Sequence, residues 1–369
     1  MSNLGIEYSI NETSLYFTDS ELNELPIEIC ELINLEILVL NENYLTNLPA
    51  EIGKLINLRE LIALENEMEN LPAEIGNLIN LKKFDLSRNN LKKIPAEIGK
   101  LYNLQILYLN ENSIENLPIE IGNLHNLQIL YLSYNQLQTL PAEIGNLHNL
   151  QELYLANNQL QTLPVEIGNL CNLQELYLAN NKLQSLPAEI GNLHNLHKLY
   201  LANNQLHTLP VEIGNLCNLQ ELDLSKNLLQ TLPVEIGDLC NLLHLCLLDN
   251  KLNFLPENIL KIKKKLSIEN SSYDINNLNS DNEFIIFNNI TDDITNLPFN
   301  IKQIWLKSTI KNYCDDININ NEIFVSGELF KKYEEAYKKF SNKTKKLTKY
   351  PVKKTNYVKL PFNCEIIFF

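Results

Sequence analysis

The chain has 369 residues, a formal net charge of -15 and a sequence pI near 4.9. Its length allows two or three ordinary domains, or one repeat array followed by a further domain, and its 45% of hydrophobic residues suffices for a packed core. Residues 258–369 carry 18 Lys against 13 acidic residues, which leaves 12 basic and 32 acidic residues in residues 1–257. This acidic excess argues against nucleic-acid binding by residues 1–257.

The beginning of the chain, MSNLGIEYSINETSLYF, has neither the basic start nor the apolar centre of a signal peptide. No apolar run approaches the roughly 18–20 residues of a membrane helix. The 7 Cys residues form no clustered framework. We therefore expect a reduced, cytoplasmic protein without a membrane span, with residues 1–14 as an N-terminal extension.

A period of 23 residues dominates residues 15–257. Proline and asparagine each recur at this interval with no insertion or deletion, and Ser20 stands where the preceding Asn would fall. The positions are Pro26, Pro49, Pro72, Pro95, Pro118, Pro141, Pro164, Pro187, Pro210, Pro233 and Pro256, and Asn43, Asn66, Asn89, Asn112, Asn135, Asn158, Asn181, Asn204, Asn227 and Asn250.

Each repeat unit predicts one strand and one short helical turn. In the unit around Pro164, Leu153 and Leu155 are spaced by two, which is typical of a strand with one buried face. The apolar residues from Ile167 to Leu173 are spaced by three, which favours a short helical or 3₁₀ segment. Pro164 suits the turn between them because its backbone angle is fixed and it donates no hydrogen bond.

A single unit cannot fold alone, because about seven buried aliphatic side chains do not offset the entropy lost in ordering 23 residues. Stacked units share strand hydrogen bonds and close the core on both sides. The recurring Asn must turn inward with the leucines, and a buried amide needs hydrogen-bond partners. We therefore interpret these asparagines as structural.

The pattern LxxLxLxxNxLxxLPxEIGxL resembles the leucine-rich repeat family over roughly residues 12–257. The 23-residue LPxEIGxLxNL variant is similar to the intracellular Ras-suppressor and plant Ras-group class. The resemblance implies an α/β fold: a right-handed solenoid of about 11 repeats, with a parallel sheet on its concave side. It also implies a ladder of Asn side chains that bond to the backbone of adjacent turns. Ala63, Met68 and Phe84 depart from the pattern at apolar positions.

The concave face is the candidate binding site. If Leu153 and Leu155 point inward, Tyr154 points outward, and the same position holds tyrosine in five consecutive repeats. Acidic residues flank the row on one side and at its ends. The candidate protein-binding residues are Tyr108, Tyr131, Tyr154, Tyr177, Tyr200, Glu152, Glu175, Glu221, Asp85 and Asp223.

Two interpretations of this tyrosine row remain open. Tyr offers a large, rigid contact area with a polar tip and is enriched at interfaces, which favours a binding surface. The acidic edge would favour a basic partner. Alternatively, Tyr is simply a good strand residue that duplication of the repeat has copied.

Two clusters could carry other chemistry. His125, His148 and His194 share one repeat position with Cys171, Cys217 and Cys240, but the position also accepts Ile and Tyr, so we interpret it as a half-buried outer position and predict no metal site. Cys217 and Cys240 fall in adjacent units, although a reduced compartment argues against a disulfide. Cys314 lies in KNYCDD, which resembles the catalytic Cys-x-Asp of bacterial leucine-rich-repeat ubiquitin ligases over three residues only.

The region after Pro256 loses the 23-residue interval. Residues 258–296 are predicted to be an end cap and linker with one strand near 283–287, and residues 297–369 a small basic α+β region. Two stretches in it, LPFNIKQIWL and LPFNCEIIFF, predict a turn followed by a strand and faintly resemble FNIP-type repeats. Between them, residues 326–349 predict a basic helix, which would be solvated or pair with the acidic array.

The sequence therefore predicts a non-catalytic, monomeric adaptor or scaffold that needs no cofactor. Its partner would be a protein, either basic or a small GTPase or other signalling protein. The alternative is a substrate-receptor array attached to a C-terminal segment that is enzymatic or binds an anionic surface such as a membrane or nucleic acid.

Overall fold

The structure is a computed structural model that describes residues 11–247, 249–252 and 256, together with four short strands nearer the C terminus. It divides into two compact units, Met1–Leu206 and His207–Phe369. None of the helices within these described stretches has the length and apolar character to span a bilayer.

The described part of the first unit contains nine three-residue strands. Each of the first eight pairs in parallel with the next, and every residue lies opposite the residue 23 positions later, as Leu153 lies opposite Leu176. The strands are β1 (Ser14–Tyr16), β2 (Ile37–Val39), β3 (Glu60–Ile62), β4 (Lys83–Asp85), β5 (Ile106–Tyr108), β6 (Ile129–Tyr131), β7 (Glu152–Tyr154), β8 (Glu175–Tyr177) and β9 (Lys198–Tyr200).

A five-residue 3₁₀ helix follows each of the first eight strands. The residue before each helix is the recurring proline, and Pro164, with φ -65° and ψ 148°, has the extended backbone expected of a turn into a helix. The helices are Ile27–Glu31, Ala50–Lys54, Ala73–Asn77, Ala96–Lys100, Ile119–Asn123, Ala142–Asn146, Val165–Asn169 and Ala188–Asn192. The predicted alternation of strand, proline turn and short helical segment is confirmed.

The core of the first unit consists of the aliphatic side chains that the period places inward. Leu153 and Leu155 are fully buried, as are the three departures from the pattern, Ala63, Met68 and Phe84.

The helical sides of consecutive repeats also approach closely. A Cβ atom on Gly145 would lie 2.5 Å from the carbonyl oxygen of Glu166 in the next repeat, so the glycine leaves room for that contact.

The recurring asparagines form an inner ladder: Asn43, Asn66, Asn89, Asn112, Asn135, Asn158, Asn181 and Asn204. All are buried. Asn158 illustrates the bonding. Its amide donates to the carbonyl of Leu132 in the preceding repeat at 2.9 Å, and its side-chain oxygen accepts from the Leu137 N–H at 3.0 Å. Because each buried amide satisfies groups of the neighbouring turn, the predicted structural role is confirmed.

An outer ladder, which sequence reasoning missed, lies on the helical side: Asn57, Asn80, Asn103, Asn126, Asn149, Asn172 and Asn195. These side chains are exposed, and each donates to a backbone carbonyl 24 positions earlier. The Asn149 amide, for example, lies 2.7 Å from the carbonyl oxygen of His125. The recurrence of this second Asn every 23 residues was the sequence signal that could have revealed the outer ladder.

The second unit repeats the same local structure. Its described helices are Val211–Asn215 and Val234–Asp238, and β10 (Glu221–Asp223) pairs in parallel with β11 (His244–Cys246). Further parallel pairings follow in order through β12 (Lys265–Ile268), β13 (Phe284–Phe287), β14 (Gln303–Leu306) and β15 (Glu365–Phe368). The leucine-rich repeat fold is thus confirmed in both units.

The strand predicted near residues 283–287 is β13, and the two similar stretches end in β14 and β15. Parallel pairing therefore continues past Pro256. The basic helix predicted for 326–349 and Cys314 lie outside the described residues. The boundaries predicted at residues 14, 257 and 296 stay predictions.

Candidate binding face

The outward side chains of the strands form one face of the sheet in the first unit. In β7, Leu153 is buried, whereas Glu152 and Tyr154 on either side of it are half-buried. The same alternation occurs in each of the strands β3 to β9. Since successive side chains of a strand point to opposite faces, leucine and tyrosine are separated as predicted.

The tyrosine stripe consists of Tyr108, Tyr131, Tyr154, Tyr177 and Tyr200. Successive ring centroids lie 4.8, 3.9, 4.2 and 4.8 Å apart along the row. The rings of Tyr154 and Tyr177 are nearly parallel, with an interplanar angle of 10°, and those of Tyr177 and Tyr200 meet at 22°. The ring of Tyr131 is inclined to those of Tyr108 and Tyr154 by 67° and 57°. From Tyr154 to Tyr200 the ring faces therefore cover one another, and the ring edges and hydroxyl groups remain for a ligand.

Two carboxylates tie the hydroxyl groups of the stripe together. The Tyr177 hydroxyl donates to Glu175 at 2.8 Å. The Tyr154 hydroxyl lies 3.1 Å from Glu152 and 3.3 Å from Glu175, so it can donate its single proton to either carboxylate. The Tyr131 hydroxyl lies 3.5 Å from Glu152. These contacts fix the orientation of the rings before any ligand arrives.

The ionisation of the stripe is shifted by this packing. Burial is the main cause that raises the pKa of Tyr108, Tyr131, Tyr154 and Tyr177, and neighbouring carboxylates add to it, so these side chains stay neutral hydrogen-bond donors. Burial alone would also raise the pKa of Glu175. Hydrogen bonds from Lys198 and Tyr177 outweigh that effect and lower its pKa, so Glu175 stays charged.

Lys198 is a member of this face that sequence reasoning missed. Lys198 lies on β9 directly opposite Glu175 on β8, and its ammonium group is 2.8 Å from the Glu175 carboxylate. Lys198 occupies the register position held by Glu152 and Glu175 in the two preceding repeats, and that substitution was the available signal. The acidic edge is therefore partly neutralised at Glu175.

The predicted end residues have similar local structure in separate units. Asp85 lies opposite Tyr108 in the register of β4 and β5, and its carboxylate accepts a hydrogen bond from the Ser87 N–H at 3.0 Å. Asp223 accepts the equivalent bond from the Ser225 N–H at 2.9 Å within the second unit. Glu221 lies on the same strand as Asp223. The roles of Asp85, Asp223 and Glu221 in binding stay predictions.

The outer position shared by His and Cys was predicted to be half-buried. Ile33, Ile56, Ile79 and Tyr102 occupy it in the earlier repeats at 49 to 56% exposure, and Cys171, Cys217 and Cys240 are exposed free thiols. About half of the surface of the Ile and Tyr residues is therefore covered, whereas the three thiols are open to solvent. Within the described part of the chain, no three His, Cys, Asp or Glu side chains are grouped to hold a metal ion.

Models of known protein families match much of the first unit and part of the second. A leucine-rich repeat region matches residues 70–159, a two-copy leucine-rich repeat model matches residues 171–212, and a single leucine-rich repeat model matches residues 149–170 and 218–239. No curated protein sequence is significantly similar to the chain.

Solved structures with the same fold come from bacteria and plants. A leucine-rich repeat protein of Leptospira interrogans is 39% identical, with a TM-score of 0.57 over 78% of this chain and 76% of that one. The plant peptide hormone receptor RGFR1, solved in complex with RGF2, is 29% identical with a TM-score of 0.64, over 77% of this chain and 50% of the receptor. A TDR receptor is 27% identical with a TM-score of 0.68, over 81% and 57%. The chain thus spans 50% and 57% of the length of these two receptors.

Proposed function

This chain belongs to the leucine-rich repeat proteins, and on that premise we propose that it is a non-catalytic interaction module that binds a protein or peptide on its tyrosine-bearing sheet face. The observation that carries the proposal is the row of five consecutive tyrosines, packed ring to ring, whose three central hydroxyl groups contact Glu152 and Glu175. The peptide hormone receptor RGFR1, which shares the fold, was solved with a bound peptide.

Preorganisation of the stripe favours binding over a purely inherited role. Binding costs free energy when side chains must be ordered at the interface. The tyrosine rings are already fixed by stacking and by their hydroxyl contacts, so little of that cost remains. Tyrosine also combines a large apolar area with a polar tip, the combination that is common among the residues contributing most to interfaces.

The partner we propose is a protein with hydrogen-bonding and basic groups that reach the ring edges. The ring faces contact each other, so a cation stacked on the middle of the row is not favoured. A basic side chain would instead meet the carboxylate of Glu152, because Glu175 is already paired with Lys198. A small GTPase or another signalling protein fits this description through the resemblance to Ras-group repeats.

We also propose the finer family assignment and the setting that the sequence suggests. The unbroken 23-residue interval supports the LPxEIGxLxNL class. For the FNIP-like hints, support comes from the parallel pairing of β14 with β15, the strands that lie in the two similar stretches LPFNIKQIWL and LPFNCEIIFF. A cytoplasmic, monomeric protein remains the proposed state.

The test compares two triple variants of the full chain as bait in quantitative affinity capture. Tyr131→Ser, Tyr154→Ser and Tyr177→Ser remove the centre of the stripe. Tyr44→Ser, Tyr102→Ser and Tyr134→Ser remove three exposed tyrosines elsewhere and serve as the matched control. We expect the first variant to lose at least one specific partner that the control retains, with both variants keeping the wild-type circular dichroism spectrum. Equal capture by both variants would refute the proposed face.

A further inference from the structure

We propose that Cys217 and Cys240 form a reversible thiol–disulfide site that joins two consecutive repeats of the second unit and takes a low-molecular-weight disulfide as its oxidant. This site is independent of the proposed binding face. Both residues are exposed free thiols at the same repeat position, 23 residues apart.

The two cysteines are held by identical local turns. Each follows a 3₁₀ helix, and its N–H donates to the carbonyl two residues earlier at 2.8 Å: Cys217 to Asn215, and Cys240 to Asp238. Because the turns match, the two side chains leave the backbone in equivalent directions from neighbouring repeats.

The second cysteine lies against the first. The Cys240 Sγ is 3.8 Å from the carbonyl oxygen of Cys217, and the adjacent Asn241 amide donates to that same oxygen at 2.7 Å. The helices that precede the cysteines also touch. A Cβ atom on Gly214 would lie 2.7 Å from the Glu235 carbonyl oxygen. The repeats are therefore in van der Waals contact on this side, and the Cys240 sulfur lies next to the backbone of Cys217.

The exchange balances with oxidised glutathione as the oxidant. A thiolate of one cysteine attacks a glutathione sulfur, which breaks the glutathione disulfide, releases one glutathione thiolate and leaves a mixed disulfide. The thiolate of the second cysteine then attacks the protein sulfur of the mixed disulfide, forms the Cys217–Cys240 bond and releases the second glutathione. The two protein thiols are oxidised, one glutathione disulfide is reduced to two thiols, and the two protons from the cysteines pass to the released thiols.

Other cysteines of the chain provide internal controls. Cys171 occupies the same exposed position, but His148 and His194 hold that position in the repeats on either side, so it has no neighbouring thiol there. Cys30 is buried, and its burial, helped by the charge of Glu51, raises the pKa of its thiol to about 12. Cys246 lies on strand β11 rather than on the helical side.

The test treats the full chain with oxidised glutathione, alkylates the remaining thiols and maps the tryptic peptides by mass spectrometry. We expect a peptide pair linked through Cys217 and Cys240, with a yield that does not change on dilution of the protein and that dithiothreitol reverses. Cys217→Ser or Cys240→Ser should abolish the link, whereas Cys171→Ser and Cys246→Ser should leave it. A link confined to dimers, or separate glutathione adducts on Cys217 and Cys240, would overturn the proposal.

A second measurement reports thiol proximity without oxidation. Phenylarsine oxide bonds to two neighbouring thiols at once, so it should protect Cys217 and Cys240 together from alkylation in the wild-type chain. In Cys217→Ser, the remaining Cys240 should be alkylated as readily as Cys171. Equal alkylation of Cys171, Cys217 and Cys240 in the treated wild-type chain would show that the two thiols are too far apart.

Discussion

The inner and outer ladders of the first unit use the same residue at the same 23-residue interval but in different surroundings. Asn158 of the inner ladder is 8% exposed and bonds to buried backbone groups of the preceding repeat. Asn149 of the outer ladder is exposed and donates to the backbone carbonyl of His125, which is also an exposed residue. Because water can replace the outer bond but not the inner ones, burial rather than residue type should set what each ladder contributes to stability.

The largest expected effect is from Asn158→Ala in the inner ladder. The substitution removes the acceptor of the buried Leu137 N–H, and we expect the free energy of unfolding to fall by about 3 kcal/mol. Urea unfolding followed by circular dichroism measures the loss, and amide hydrogen exchange at Leu137 should accelerate. Slow exchange at Leu137 in this variant would contradict the assigned role of the ladder.

Gly145→Ala tests whether the outer side is also tightly packed. The new Cβ atom would lie 2.5 Å from the Glu166 carbonyl oxygen and 2.7 Å from its Cβ atom, so the two repeats must move apart. We expect a loss of about 2 kcal/mol, which is typical of overpacking. Asn146→Ala changes the neighbouring exposed residue of the same helix and serves as the control. A similar midpoint for both variants in urea would show that the helical sides are loosely stacked.

Asn149→Ala in the outer ladder is the counterpart of Asn158→Ala in the inner ladder. The His125 carbonyl loses its amide donor but gains access to water, so we expect a loss of only about 0.5 kcal/mol. The measurement is the urea midpoint beside that of Asn158→Ala. If the two variants are equally destabilised, exposure does not distinguish the ladders.

An effect of the same small size but of opposite sign, a gain in stability, is expected from Tyr134→Asn, next to the inner ladder. Tyr134 has φ 58°, in the left-handed region that asparagine tolerates better than tyrosine, and Asn157, Asn180 and Asn203 fill this position in the following repeats. We expect an increase of about 0.5 kcal/mol in the free energy of unfolding. Tyr102→Asn, at an exposed position not in that region, is the control and should bring no gain in a thermal melt.

The 23-residue interval was enough to predict the strands, the proline turns and a short helical or 3₁₀ segment in each unit, whereas the inner ladder was implied by the resemblance to leucine-rich repeats. The inner Asn was recognised because it falls among leucines, where a buried amide needs partners. The outer Asn shares the interval but falls among polar residues, so its bond to the preceding repeat could not be inferred from hydrophobicity.

The candidate site was predicted in part. The positions of Tyr131, Tyr154 and Tyr177 on the open face follow from alternation along a strand. Their ring packing, their contacts with Glu152 and Glu175 and the pairing of Glu175 with Lys198 depend on side-chain rotamers and on which strands are neighbours. These features could not be read from spacing, and they change the expected charge of the acidic edge.

The sequence by itself determined the period, the inward leucines and the outward tyrosines, because each follows from the geometry of a strand repeated at a constant interval. The tertiary structure alone decided which groups meet between repeats: Glu175 with Lys198, Gly145 with Glu166, and Cys240 with Cys217. The physical reason is that contacts across repeats depend on how far apart two turns lie and how their side chains are oriented. Neither quantity is encoded in the spacing of residues within one repeat.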